Sequence, residues 1–506
     1  MGRNRMLATT DHPVRNKSTE TLARTSVDEI SQNTPAARYR RNLVGYFNSV
    51  AGHYADCRHR FLYYKRNLAS YLRFLIPPEK SVVEIGCGNG DLLNELRPSR
   101  GVGLDLSRPM VDIASDRHPH LEFSVDDLEN LQRDESFDYV VMTDLVGYLY
   151  DVQAAFSKLH GLCHENTRII LVYFNHLWAP ALKLAEWLGL RMSRPPMHWL
   201  PMDDIENLLR LNGFEAVKKN HHTLIPIGIP LVANFCNRVL AHLPFFRKLC
   251  LNQVVVARPL PTSREPDSYS CSIVVPCRNE KGNIREAVRR IPLMGCATEI
   301  IFVEGGSKDD TLSECYRVRD AHPELDIKVV AQDGKGKGDA VRKGFSVAEG
   351  DVLMILDADL TVPPEDLPKF YDAIASGKGE FINGTRLVYA MERDAMRYLN
   401  IMGNKFFSVA LSWLLNQSLK DTLCGTKVLL RTDYERIAAG RHYFGDFDPF
   451  GDFDLIFGAA KLNLKIVEVP IRYRDRTYGS TNISRFYHGW LLLKMTLFAL
   501  RKIKLA

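Results

Sequence analysis

One apolar run that ends in carboxylates limits the fold more than any other stretch: Val352-Leu353-Met354-Ile355-Leu356-Asp357-Ala358-Asp359-Leu360. It is built of β-formers and aliphatics with no polar alternation, and is bounded by Glu349-Gly350-Asp351 and Thr361-Val362-Pro363-Pro364. That pattern predicts a strand buried on both faces of a parallel sheet. Open α/β sheets bind ligands in the crevice outside the carboxyl ends of their strands, which puts a ligand beside Asp357 and Asp359. The two aspartates are two positions apart, so an extended chain points both to the same side. Such hard oxygen donors suit Mg²⁺ or Mn²⁺, which keep some waters and take further oxygens from a substrate diphosphate. Taken alone, the pair has an equally good second use, to end the strand and cap the next helix.

A chain of 506 residues exceeds one ordinary core and implies two or three domains. Its 45% hydrophobic and 25% charged residues are globular values. A net charge of +6 with both signs interspersed gives no indication of nucleic acid, and leaves only a mild preference for anionic substrates or lipid surfaces. Ten cysteines without a Cys-x-x-Cys pair, and no secretory apolar segment at the start, predict reduced thiols in a cytoplasmic protein. No run approaches the roughly 18 apolar residues of a membrane span, so any membrane contact is peripheral, on the cytoplasmic face.

Residues 1–35, rich in Thr, Ser, Asn and Arg, predict a disordered tail. Helix-like spacing of Leu43, Tyr46, Phe47, Val50, Leu62, Leu68 and Leu72 predicts helices packed ahead of a sheet. Pro77-Pro78 stops them. The strand Ser81–Ile85 then runs into Gly86-Cys87-Gly88-Asn89-Gly90-Asp91 and a helix, an arrangement in which glycine lets the backbone approach a ligand closely. The spacing is Gly-x-Gly-x-Gly and departs from the NAD fingerprint Gly-x-Gly-x-x-Gly. Further strands end in Asp105, in Asp126-Asp127 and in Asp144.

These residues resemble the class I S-adenosylmethionine-dependent methyltransferases over about residues 40–258. The resemblance makes Glu84, Gly86, Gly88 and Gly90 the glycine motif, Asp105 the ribose-binding acid, and Asp127 the acid near the adenine amino group, with Asp126 adjacent. Tyr148, Tyr150, His176, Trp178 and His198 lie in regions that often line the acceptor pocket; core packing or surface exposure serves each equally well. The unusually apolar 224–251 segment either closes the core, covers the acceptor site or touches lipid. A linker rich in proline and polar residues spans 259–270.

After the linker, strands near 271–276, 299–303, 327–330 and 352–359 alternate with helices, which predicts a second doubly wound sheet over 271–506. Asp333-Gly334-Lys335-Gly336-Lys337-Gly338 lacks Gly-Lys-Ser/Thr and is not a P-loop. The pattern resembles the inverting family-2 glycosyltransferases of the GT-A fold, and among them the dolichyl-phosphate mannose and glucose synthase type. Pro276, Asn279 and Glu280 match the first nucleotide-contacting motif, and Glu304-Gly305-Gly306-Ser307 stands for the usual Asp-Asp-Gly-Ser. Asp357-Ala358-Asp359 matches the metal motif. Arg386 sits on the arginine-bearing strand, Asp452 and Asp454 in the Glu/Asp motif, and Arg476 in the loop that closes over the diphosphate. Helix capping is the alternative use of Asp452 and Asp454.

Inverting transfer needs its diphosphate leaving group neutralised, a task for the metal, Arg476 and Lys337. A hydroxyl acceptor, on a sugar or glycolipid, needs a base, for which Asp452 or Asp454 is the candidate. A polyprenyl phosphate acceptor is already anionic and needs only a clamp such as Arg386. The 490–500 helix ends in Arg501-Lys502-Ile503-Lys504 and is amphipathic, fit either for a bilayer surface or for ordinary packing. The expectation is an α/β protein of two doubly wound domains, a Rossmann-like methyltransferase fold followed by a GT-A fold. It uses S-adenosylmethionine, Mg²⁺ or Mn²⁺ and a UDP- or GDP-sugar donor. The alternative is a membrane-surface assembly protein with one domain non-catalytic, for which the altered Glu304-Gly305 motif speaks.

Overall fold

The computed structural model describes residues 34–56, 62–261, 266–386, 388, 398–443, 451, 453–474, 476, 478 and 485–505. The expected tail lies outside these residues but for its last two, and so does Asp452.

Two seven-stranded sheets carry the chain. The first comprises β1 (Ser81–Ile85), β2 (Arg100–Asp105), β3 (Glu122–Val125), β4 (Phe137–Thr143), β5 (Cys163–Phe174), β6 (Phe214–His222) and β7 (Asn252–Pro259), in the order 3-2-1-4-5-7-6. The second comprises β8 (Ser270–Cys277), β9 (Ala297–Glu304), β10 (Asp326–Ala331), β11 (Val352–Ile355), β12 (Phe381–Thr385), β13 (Lys427–Leu430) and β14 (Ile466–Pro470), in the order 10-9-8-11-13-12-14. Eight helices matter below: α1 (Pro35–Asp56), α2 (Leu62–Leu75), α3 (Asp91–Leu96), α4 (Val232–Arg238), α5 (Lys337–Val347), α6 (Tyr398–Leu415), α7 (Phe453–Lys461) and α8 (Arg485–Ala499).

Each sheet is covered on both faces, as the unbroken apolar strands require. Val352 and Met354 of β11 enter one core with Ile273, Val275 and Phe302, while Leu353 and Ile355 enter the other with Val274, Ile301 and Val303. The first sheet divides likewise, Val83 and Ile85 to one side and Val82, Tyr139 and Val141 to the other. Neither sheet is wholly parallel. β7 runs antiparallel to β5 and β6, and β13 antiparallel to β11 and β12. Strand order reverses between β1 and β4 in one sheet and between β8 and β11 in the other, which opens a crevice at each point.

The strand expected to run to Asp359 stops at Ile355. Leu356 N still donates to Val274 O (3.0 Å), but Leu360 N turns back to Asp357 O (3.1 Å), and Leu360 adopts φ 52°. Asp359 closes the turn by accepting from Thr361 N (3.1 Å) and its hydroxyl (2.8 Å). Strand alternation therefore does not orient the two aspartates; a turn does.

The two domains meet through a polar seam between β5–β6–β7 and α7–β14. Arg168 on β5 is almost fully buried and pairs with Glu380 at 2.6 Å, with Arg258 of β7 3.4 Å from the same carboxylate. Burial alone would raise the Glu380 carboxyl, but Arg168 and Arg258 outweigh it and hold it below its ordinary value. Asn463 accepts from Arg168 Nε through its carbonyl (2.9 Å) and donates to Leu75 O at the end of α2 (2.9 Å). Removing one member of a buried pair strands the other. Arg168→Met is expected to cost about 3 kcal/mol and to lower the apparent melting temperature, with Arg168→Met/Glu380→Gln milder. An unchanged melting temperature in the single variant contradicts this account of the seam.

Candidate active sites

A cavity of about 480 Å³ opens over the carboxyl ends of β1, β2 and β4. Gly86, Gly88 and Gly90 all have positive φ (75°, 53° and 74°), which fixes the loop between β1 and α3. They differ in surroundings. A Cβ on Gly88 would project into open space beside the cavity; one on Gly90 would strike Phe123 at 2.6 Å. Gly88 lines the cavity, whereas Gly90 leaves room for the Phe123 ring of β3.

Asp105 accepts from Gly88 N (2.8 Å) and Ser107 N (2.9 Å), so β2, the glycine loop and the following helix are tied by one carboxylate. Burial raises its pKa, opposed by those two amides. Glu84 is 1% exposed; burial pushes it up to about 8, against a hydrogen bond from Thr143 (3.3 Å). Asp127 lines the cavity but is engaged by Arg40 of α1 (2.9 Å) and by Asn130 (2.6 Å), while the adjacent Asp126 pairs with Arg133 (3.0 Å).

Tyr39, Leu43 and Phe47 of α1 close the cavity from the side opposite the sheet, and Tyr148 meets Phe47 edge-on at 5.8 Å. Of the five aromatic and histidine acceptor candidates only Tyr148 lines this space. Tyr150 and His176 are exposed, Trp178 donates to Leu249 O (2.8 Å), and His198 packs beside Gly147. Asp144, at φ 54°, is pushed by burial up to about 6, with Arg194 and Arg191 acting the other way. Arg40, Lys65 and Arg194 line the cavity without having been foreseen. Each reaches it from a segment outside the strand ends, where no motif spacing points.

In the second domain, charges gather at the ends of β8, β9 and β11. Lys337, at the start of α5, pairs with Asp357 at 2.6 Å. Burial would raise Asp357, but Lys337, with Lys427 and Arg386 behind it, holds it below its ordinary value. A Cβ on Gly425 would collide with Asp357 Oδ2 and reach within 2.6 Å of Lys337 Nζ, so only glycine leaves this carboxylate its space. Arg476 pairs with Asp359 (2.6 Å) and with Glu280 (3.4 Å), joining the closing segment to the strand ends. Asn279, at φ 58°, accepts from Lys308 N (2.7 Å), and its own amide donates to Ser307 Oγ (3.0 Å). Glu304 accepts from Ser307 N (2.5 Å) and is thereby folded onto its own turn. Burial opposes its ionisation, but Ser307 and Gly306 hold its pKa low. Pro276 lies on β8 opposite Val303.

Two expected residues are engaged elsewhere. Arg386 makes both hydrogen bonds of its guanidinium fork to Asp421 (2.6 and 2.8 Å), in a buried pair that also takes Asn404 (2.9 Å). The paired donors expected for an acceptor phosphate already hold a carboxylate. Asp454, in the first turn of α7, faces Arg441 (3.3 Å) and Arg342 (3.9 Å). Among the described residues no cluster of three or more His, Cys, Asp or Glu could hold a metal ion.

Residues 57–219 match the family model "Methyltransferase domain", and residues 272–437 match "Glycosyl transferase family 2". The chain thus carries a methyltransferase domain followed by a family-2 glycosyltransferase domain. Among curated proteins, the dolichol-phosphate mannosyltransferase of Pyrococcus furiosus is 38% identical over 220 residues, 42% of this chain and 58% of that protein. The undecaprenyl-phosphate 4-deoxy-4-formamido-L-arabinose transferase of Pseudomonas aeruginosa is 29% identical over 219 residues, 42% of this chain and 60% of that protein. The chain therefore spans about three fifths of the length of either. A solved magnesium protoporphyrin IX methyltransferase from Synechocystis, with SAH bound, covers 44% of this chain and 99% of its own at 19% identity and TM-score 0.32.

The raised Glu84 yields a sign for pH dependence. In the unfolded chain this acid ionises near its ordinary 4.5, in the fold near 8, so stability falls as pH rises between those values. Glu84→Gln removes the proton difference. Its melting temperature, relative to the parent and without ligand, is expected to gain more at pH 8 than at pH 5. An equal change at both pH values contradicts a protonated Glu84.

Proposed function

We propose that the chain is a bifunctional enzyme of polyprenyl-linked sugar synthesis. The second domain transfers a sugar, with inversion, from a UDP- or GDP-sugar to a polyprenyl phosphate; the first transfers a methyl group from S-adenosylmethionine to a component of the same pathway. The observation that carries the reading is the convergence of Asp357, Asp359 and Glu280 with Lys337 and Arg476 where the order of the second sheet reverses.

The acidic pair would hold Mg²⁺ or Mn²⁺, which supplies positive charge to the departing diphosphate. Lys337 and Arg476, now on the aspartates, are placed to transfer their hydrogen bonds to diphosphate oxygens as charge develops there. Asn279, Glu280, Glu304 and Ser307 shape the loop proposed to receive the nucleotide. A phosphate acceptor brings its own negative charge. Asp454, facing two arginines, is poorly disposed to act as a base, so a neutral hydroxyl would depend on Asp452 alone, whereas a phosphate acceptor needs no base. The names of the two curated relatives, both polyprenyl-phosphate sugar transferases, support the same choice. Arg386 is proposed to brace the acceptor side through Asp421.

In the first domain, Asp105 is proposed to take the ribose diol and Gly88 to admit the amino-acid end of S-adenosylmethionine. Asp127, with Asp126, is assigned to the adenine side. The buried acids Glu84 and Asp105 suit a cationic ligand, since a sulfonium and an ammonium relieve the cost of ionising them.

A bilayer-surface location is supported by three segments without a single acid, 223–252, 398–419 and 485–505. They expose apolar stripes at helical spacing: Val232, Phe235 and Val239; Met402, Phe406 and Val409; Trp490 and Leu497, with Lys494 and Arg501 in line. No helix among the described residues is long and apolar enough to cross a membrane.

Incubation with labelled UDP- and GDP-sugars and polyprenyl phosphate in vesicles is expected to yield a solvent-extractable sugar lipid. Asp359→Asn is expected to lower that yield at least ~100-fold while leaving intact the rise in melting temperature given by S-adenosylhomocysteine. Transfer unaffected by Asp359→Asn would sink the assignment.

A further inference from the structure

A second cavity, of about 100 Å³, lies on the seam between the domains and belongs to neither site above. Strand β6 and the segment from α4 to His242 bound it on the methyltransferase side; the ends of α6 and α7 and the chain's last turn bound it on the other. Six of its lining side chains are basic, Lys218, His222, Arg238, His242, Lys461 and Lys504, and none is acidic. The space is several times what one water needs.

The three lysines are secured by neutral oxygens. Lys218 Nζ donates to Ala460 O and to Asn463 Oδ1 (2.7 Å), Lys461 Nζ to Phe74 O, and Lys504 Nζ to Asn416 Oδ1 (2.8 Å). An ammonium has three N–H donors, so these bonds leave each lysine with donor capacity. Buried cations are ordinarily paired with anions. Here no residue lining the cavity is acidic. Burial, then Lys461, Lys504 and Arg168, push Lys218 down to about 7; burial, then Arg247, push Lys504 to about 7; burial pushes Lys461 to about 8. Burial first, then His242, drives His222 to about 3, and burial first, with Lys504 and Arg247, drives His242 to about 4. Arg168 is already neutralised by Glu380, and Lys465 by Glu215, so the carboxylates of the seam are spoken for.

We propose that this interdomain cavity is a binding site for a phosphate group, held by Lys218, Lys461 and Lys504 with Arg238 at its edge. The ligand is either a free phosphate-bearing anion or the phosphomonoester headgroup of a lipid, since Arg238 and Lys504 also belong to the acid-free segments that carry the apolar stripes. A doubly charged tetrahedral oxyanion supplies acceptors for the spare donors and the missing counter-charge. It also fastens both domains at once, because its ligands come from each.

The test uses the full chain at pH 7.5, with calorimetric titration of inorganic phosphate and of sulfate. Sulfate exchanges no proton at this pH, so its heat in buffers of different ionisation enthalpy reads proton uptake by the lysines. Saturable binding with net proton uptake is expected, and Lys218→Met/Lys504→Met is expected to weaken it at least ~10-fold. The single variant Lys461→Met should do the same if the pair proves unstable; melting temperature without anion monitors folding. Vesicles of phosphatidylcholine with and without phosphatidic acid give the lipid arm. Lysine-dependent binding to phosphatidic acid vesicles alone assigns the headgroup, and to free phosphate or sulfate alone a soluble anion. Binding kept in the lysine variants but lost in Lys337→Ala would place the anion in the sugar-transfer site and overturn the proposal, as would no binding in either arm. Loss of sugar transfer in Asp359→Asn leaves these outcomes untouched.

Discussion

A strand covered on both faces can hold charge only at its ends, and this constraint organises both halves of the molecule. In β11 it expels Asp357 and Asp359 beyond Ile355; in β1 and β2 it sets Glu84 and Asp105 beside the glycine loop. Carboxylates gathered in this way repel one another unless something answers them. In the second domain the answer comes from side chains, Lys337 to Asp357 and Arg476 to Asp359 and Glu280. In the first it comes mainly from proton retention, with Glu84 pushed up to about 8 by burial. In the proposed reading, one site exchanges its cations with a charged ligand and the other admits a ligand that is itself cationic.

The seam follows the same logic with the opposite sign. Arg168 and Arg258 converge on Glu380 and consume its charge, which leaves Lys218, Lys461 and Lys504 lining one cavity with no acidic side chain. Neutral oxygens hold them in place and supply no counter-charge. A domain boundary built in this way is sensitive to anions in a manner that an apolar interface is not.

Local placement was legible in the sequence wherever a strand, a turn and a helix follow each other directly. The positions of Glu84, Gly88, Asp105 and Asn279 at or just past strand ends, and of Lys337 at the start of α5, were read from such stretches. Gly90 shows the limit: its spacing resembles a cofactor glycine, but Phe123, 33 residues on, claims the space beside it. Arg386 directly follows β12 and Asp454 lies in the first turn of α7, yet their partners Asp421 and Arg441 are set by tertiary packing. Two-residue alternation misjudged Asp357 and Asp359, because Asp359 turns the chain through its own bonds to Thr361. The seam had no sequence signal at all, since Arg168 and Glu380 are 212 residues apart and each reads as an ordinary charge beside a strand.

The account depends most on the strand-end acids of the second domain forming a metal-assisted nucleotide site. Calorimetric titration of the full chain with UDP and with GDP, each with and without Mn²⁺, tests that directly. The account predicts that one of the two nucleotides binds saturably, more tightly with Mn²⁺, and that Asp357→Asn removes the metal's contribution. Binding of neither nucleotide, or binding indifferent to both Mn²⁺ and Asp357, would contradict it.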